Sequence, residues 1–186
     1  MIAQDLNRIL PPEYVAIPQT TPWTPGEPAW SGPLEWSQRD LFEIRVLSTG
    51  DSPQLVGAIE LVSPANKDRP AAWQAFAGKC AGYLRNQIGV IVVDVVTNRH
   101  HDLHRELLEL LELDAPLQTW GPAKPPLYAI AYRTLMTEQT RLELWPQQLT
   151  IGNTLPTLPF WLAADYAVPV NLEASYGAAC EMLRIV

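Results

Sequence analysis

The sequence predicts a mixed α/β (α+β) domain, and three features carry that prediction. Two strand patterns, Leu41–Leu47 and Leu55–Val62, are joined by the turn-forming segment Ser48-Thr-Gly-Asp-Ser-Pro53 and should pair as a hairpin. A helical pattern follows over Ala71–Gln87. A third strand pattern, Val90–Thr97, is apolar nearly throughout, as expected of a strand covered on both faces. At 186 residues, 47% apolar and 18% charged, the chain fits one domain over 1–186 with a sizeable core, and it is too apolar to be a disordered tail.

Each element has a local cause. Ile2–Leu10 is amphipathic and ends at Pro11-Pro12, where a helix loses its amide donors. Residues 1–39 otherwise read as an irregular Pro/Trp-rich segment, because Ile17–Pro33 is crowded with Pro, Thr and Gly around Trp23 and Trp30. Leu41–Leu47 alternates apolar and charged residues, the mark of a half-buried strand. Pro70 suits the first turn of a helix in which Trp73, Phe76, Cys80, Tyr83 and Leu84 repeat at helical spacing, with Lys79 beside that stripe. A second helix, Asp102–Leu113, would bury Leu103, Leu107, Leu110 and Leu111. Leu127–Thr134 and Arg141–Trp145 alternate as an antiparallel pair. Leu149–Pro169 reads as loop punctuated by proline, and a last helix from Asn171 or Leu172 would turn Leu172, Tyr176, Ala179, Cys180 and Leu183 inward.

The chemistry is concentrated in the middle third. Glu60 is a carboxylate inside an apolar strand that stops at Ser63-Pro-Ala-Asn66-Lys67-Asp68-Arg69-Pro70. An unpaired charge buried there would cost several kcal/mol, so Glu60 needs a cationic partner or a metal. Asp94 inside Val-Val-Asp-Val-Val poses the same problem. Acid on a strand, lysine on the next helix and acid on the next strand is an order that suits a metal-dependent phosphodiesterase. Magnesium or manganese on carboxylates polarises the phosphoryl oxygen and lowers the pKa of bound water, and an amine can orient that water. The expected metal ligands are Glu60, Glu43, the backbone carbonyl of Val62 and Asp94, with Lys79 positioning water and Lys67 and Arg69 meeting phosphate. The structural alternatives are Glu60 paired with Arg45 or capping the Asn66/Lys67 turn, Asp94 paired with Arg99, and Ser63 turning the chain before Pro64.

Glu60-Leu-Val-Ser63-Pro-Ala-Asn66-Lys67, then Lys79, then a strand ending in an acid and Val-Val-Thr resembles the bacterial family named domain of unknown function 4058. More distantly the chain is similar to the Uma-type endonucleases, which carry a helix lysine with a tyrosine four residues later, as Lys79 and Tyr83 do here. The resemblance covers about residues 40 to 184. It implies a PD-(D/E)XK, restriction-endonuclease-like fold, with a mixed sheet of four or five strands flanked by helices, and a magnesium-dependent nuclease activity. Relatives carry an acid on a strand between the first helix and the Glu-bearing strand. Here Gln19-Thr-Thr-Pro-Trp-Thr-Pro-Gly26 has none until Glu27, so Glu43 or Asp40 would stand in, or the chain descends from an enzyme whose site has decayed.

A net charge of −7 disfavours broad attraction to nucleic acid but leaves room for a local cleft near Lys67, Arg69, Lys79, Arg85, Arg99 and Arg105. Apolar runs fall short of the ~20 residues of a membrane span. Met1–Asp5 lacks the basic start and apolar block of a leader, and Cys80 and Cys180 stand isolated, so a reducing cytoplasm with both thiols buried is expected. A nucleic acid and a second copy of the chain are the expected partners. A noncatalytic interaction or dimerisation protein that keeps the fold is the alternative.

Overall fold

The computed structural model describes residues 2–19, 42–49, 52–113, 127–136 and 138–184. In chain order its elements are α1 (Ile2–Ile9), β1 (Tyr14–Gln19), β2 (Phe42–Ser48), β3 (Leu55–Leu61), a 3₁₀ turn (Pro64–Lys67), α2 (Pro70–Arg85), β4 (Gly89–Asp94), α3 (Leu103–Leu110), β5 (Tyr128–Leu135), β6 (Arg141–Gln148), β7 (Thr157–Ala163), β8 (Tyr166–Asn171) and α4 (Leu172–Leu183). The fold is mixed α+β, as the alternation of patterns predicted. The sheet is larger than the four or five strands expected: six strands in the order β1-β2-β3-β4-β5-β6, with a separate β7–β8 ribbon. Neighbours are antiparallel except β3 and β4, which α2 connects by a crossover and which therefore run parallel.

Strand side chains alternate between faces, so this sheet separates two cores. Ile44, Val46, Ile59, Ile91, Val93, Ala129 and Ala131 point to one face, under α1 and the β7–β8 ribbon. Val62, Val90, Val92, Tyr128, Ile130 and Tyr132 point to the other, under α2 and α3. Odd-numbered Glu43 and Arg45 lie opposite the Ile44/Val46 face, and even-numbered Glu60 lies opposite Ile59. Both carboxylates are thereby delivered to the α2 side.

Two stretches read as irregular are strands. β1 already covers Ile17–Gln19, and Asn7 of α1 holds it by accepting from the Ala16 amide at 2.7 Å and donating to the Ala16 carbonyl at 2.9 Å. Those are the outward-facing groups that an edge strand leaves unpaired. The span Leu149–Pro169 contains β7 and most of β8, in which Pro159 and Pro169 stand opposite each other. Proline survives there because a two-stranded ribbon has outer edges that need no amide donor. Asp40, Glu27, Trp23 and Trp30 lie outside the described residues.

The helices follow expectation less closely at their ends. Pro70 opens α2, as its fixed φ favours. α3 buries Leu103, His104, Leu107 and Leu108, while Leu110 faces solvent. α4 turns only Leu172 and Ser175 fully inward. Tyr176 and Leu183, expected inside, are exposed, and Cys180 is half-buried, in contrast to fully buried Cys80. Among the described residues, no helix is long and apolar enough to cross a membrane.

Candidate functional site

The β2–β3 register places Glu43 directly across from Glu60. Like charges in that position repel, so the pair persists only if cations or a proton neutralise it. Each carboxylate has its own partners. Lys79, reaching down from α2, donates from Nζ to Glu60 Oε2 at 2.6 Å. Tyr83, one helical turn later, donates its hydroxyl to Glu43 Oε1. Arg45 brings Nε to 3.2 Å from Glu43 Oε1 and donates from Nη2 to the Tyr83 hydroxyl at 3.4 Å. Lys79 and Tyr83 can serve adjacent acids because residues four apart share one face of a helix. Both carboxylates are almost wholly shielded, with side chains 2% and 3% exposed, whereas Lys79 is 24% exposed.

Glu60 Oε1 has no hydrogen-bond donor although it is sealed from solvent. The Glu43 carboxyl lies within hydrogen-bonding reach of Glu60, so two acceptors meet where a proton or a cation is needed. Burial is the main force raising the Glu60 pKa from 4.5 to about 7. Lys79 works against that rise and the Glu43 charge adds to it. Burial also pushes Glu43 upward, but the Tyr83 and Arg45 contacts and the Lys79 charge outweigh it and hold that carboxyl below its ordinary value. One acid of the pair is thus kept ionised while its neighbour retains a proton easily.

The sign of the resulting pH effect follows from proton linkage. The folded chain holds the Glu60 proton more tightly than the unfolded chain, so stability declines as pH rises from 4.5 to about 7 and levels off above. A shift of that size corresponds to about 3 kcal/mol. Glu43 acts in a separate, lower window, where acid protonates it and removes stability. Glu60→Gln should abolish the decline between pH 5 and 7.5 and leave the variant more stable than the wild type at pH 8, as read by urea unfolding across pH. An unchanged slope in the variant would assign the decline to another group.

Other expected site residues are placed elsewhere. Val62 turns to the same face as Glu60, and its amide donates to the Val93 carbonyl at 2.9 Å. Asp94, expected as a ligand, is bound instead by Lys67, whose Nζ lies 2.6 Å from Asp94 Oδ2 with both side chains at most 1% exposed. Asp94 Oδ1 also accepts from the Val96 amide at 3.2 Å. Lys67, expected to meet phosphate, is therefore committed to the interior. A phosphate would have to displace Asp94 to reach it. Arg69 is exposed at the start of α2, and Arg99 contacts Asp68 at 3.6 Å in place of Asp94. Ser63 turns the chain as expected, its amide and hydroxyl both donating to Asn66 Oδ1. Arg45, the alternative partner expected for Glu60, instead contacts Glu43, two residues along the same strand face.

Among the described residues, no three His, Cys, Asp or Glu side chains gather as a metal-ligand set. Two carboxylates with one uncompensated buried oxygen nevertheless suit magnesium, which commonly keeps several waters and binds proteins through one or two carboxylates. The cation would have to displace the contacts that close the pair now. No family model, curated protein or solved structure matches the chain.

Proposed function

We propose that this chain is a metal-dependent phosphodiesterase of the PD-(D/E)XK type, with nucleic acid as its substrate class and Mg2+ or Mn2+ as its cofactor. The observation that carries the proposal is the cross-strand Glu43–Glu60 pair with the Lys79 amine on Glu60. Glu43, Glu60 and the Val62 backbone carbonyl would hold the metal. When bound, it would supply Lewis-acid stabilisation of the phosphoryl group and an acidified water. Lys79 would turn its amine toward that water, and Tyr83 and Arg45 would keep Glu43 ionised and oriented. Arg69 and Arg99, exposed near the N-terminal end of α2, are open to a phosphate backbone. Lys67 and Asp94 would act only through the fold. Two free cysteines suit the cytoplasmic location we assign.

Thermal unfolding in Mn2+ tests the proposal. At about 100 times Kd the metal should stabilise the wild type by about 2.7 kcal/mol, or roughly 8 °C for a domain of this size. Glu60→Gln should lose the shift. Equal shifts in both proteins would remove Glu60 from the metal site. A cleavage screen over single- and double-stranded DNA and RNA then identifies the substrate. A second function, a noncatalytic or homodimerising protein that keeps this architecture, is favoured by the near-complete shielding of both ion-paired carboxylates. It predicts that no divalent ion shifts the unfolding temperature and that the chain sediments as a dimer.

A further inference from the structure

We infer that Lys79 is a built-in cation that fills the carboxylate pair in the absence of a divalent metal, so that metal entry and withdrawal of the lysine are one event. It rests on Glu43 and Glu60 being the metal-binding pair proposed above. Three observations point the same way. Glu60 Oε2 already holds an ammonium at 2.6 Å, the place a metal bound to that oxygen would contest. Glu60 Oε1, shielded and without a donor, shows that the Lys79 ammonium satisfies only one oxygen of the carboxylate it fills. Lys79, unlike the acids, is part-exposed and stands on a helix with its amine 5.8 Å from the centre of the Phe76 ring.

The mobility of the partners decides which of them yields. Arg45 lies on the sheet itself and is held by Glu43 and the Tyr83 hydroxyl, so moving it breaks two contacts. Lys79 has a flexible four-carbon stem, is already part-exposed, and can carry its charge outward with no change in β3 or α2. A divalent ion that takes Glu60 Oε2 as well as the donor-free Oε1 would meet the ammonium at contact distance, where like charges repel strongly. Occupancy of Oε2 by one therefore expels the other. Metal loading then releases the same amine that the proposed reaction needs near the water and phosphate. The wild type accordingly binds metal more weakly than its two carboxylates alone would.

Calorimetric titration with Mn2+ alone at pH 8 tests this on the wild type, Lys79→Gln, Lys79→Met and Glu60→Gln. The Lys79 variants should bind Mn2+ about tenfold more tightly, since a competing charge a few ångströms away is gone. Glu60→Gln should bind none. If both Lys79 variants match the wild type in affinity while Glu60→Gln still abolishes binding, the lysine does not contest the site and the inference falls, with the proposed function left standing. If the wild type and both Lys79 variants all fail to bind Mn2+, the metal site itself is refuted and the inference with it. Should the variants not fold, amine acylation of the wild type followed by mass spectrometry decides the matter. Mn2+ should increase modification of Lys79 and leave buried Lys67 unmodified, and labelling of Lys79 that ignores Mn2+ overturns the inference.

Discussion

Asp94→Ala should lower the unfolding free energy by about 3–5 kcal/mol, because it leaves the Lys67 ammonium as an unpaired charge with almost no exposure. The pair ties the 3₁₀ turn after β3 to the end of β4, so the loss falls at the join of the parallel strands. The Val96 amide loses its acceptor as well. The expected signature is a fall in the urea midpoint at constant slope, and a melting temperature lower by about 10 °C. Replacing both partners, Lys67→Met with Asp94→Leu, should recover most of the loss, since two well-packed apolar groups avoid the desolvation cost of two charges. The effect should also be indifferent to Mg2+ and Mn2+. A cost for Asp94→Ala below 1 kcal/mol, or one that grows in the presence of metal, would mean that Asp94 is solvated or coordinates an ion.

Gly89→Ala should cost about 3 kcal/mol, at the upper end of overpacking, because the new methyl has nowhere to go. A Cβ at position 89 would lie 2.0 Å from the Trp161 backbone oxygen, so the whole of β7 would have to lift from the sheet. Gly57 is its neighbour across the parallel β3–β4 pair, and together the two glycines form the trough that β7 crosses. At Gly57 the obstacle is a side chain, with the Phe160 ring tip 2.5 Å from the built Cβ. Phe160→Leu should therefore relieve much of Gly57→Ala and none of Gly89→Ala. Unfolding curves of the three single variants and the two doubles decide this, and equal rescue at both positions would show that the ribbon moves as freely as a side chain.

The two glycines also mark, within the sequence itself, where β7 packs. A glycine inside a strand pattern often marks close approach by another backbone, and both Gly57 and Gly89 stand at such places. Leu158, Phe160 and Leu162 alternate, as do Val168 and Val170, and all five are buried. Proline density around them masked the period of two. In α4 the apolar residues repeat as in a buried helix, yet its neighbours cover only one side, so Tyr176 and Leu183 remain outside. Leu41–Leu47, Leu55–Val62, Ala71–Gln87 and Val90–Thr97 were readable to within a few residues, because turn chemistry and a single period act inside each segment.

The site divides along the same line. That Glu60 and Asp94 needed partners follows from a charge set within an apolar strand pattern, whereas Glu43, in an alternating strand, gives no such sign. That Lys79 stands beside the buried stripe of α2 follows from helical spacing. Which cation meets which acid came only from the folded chain. The hairpin register set Glu43 against Glu60, and the crossover helix then brought Lys79 and Tyr83, 19 and 40 positions away, onto them. With Arg45, Lys67, Lys79 and Arg99 all near in sequence, local patterns leave the pairing degenerate. Packing of the helix on the sheet removes that degeneracy, because it sends each cation to one face and one depth: Lys67 sealed against Asp94, and Lys79 at the edge of solvent over Glu60.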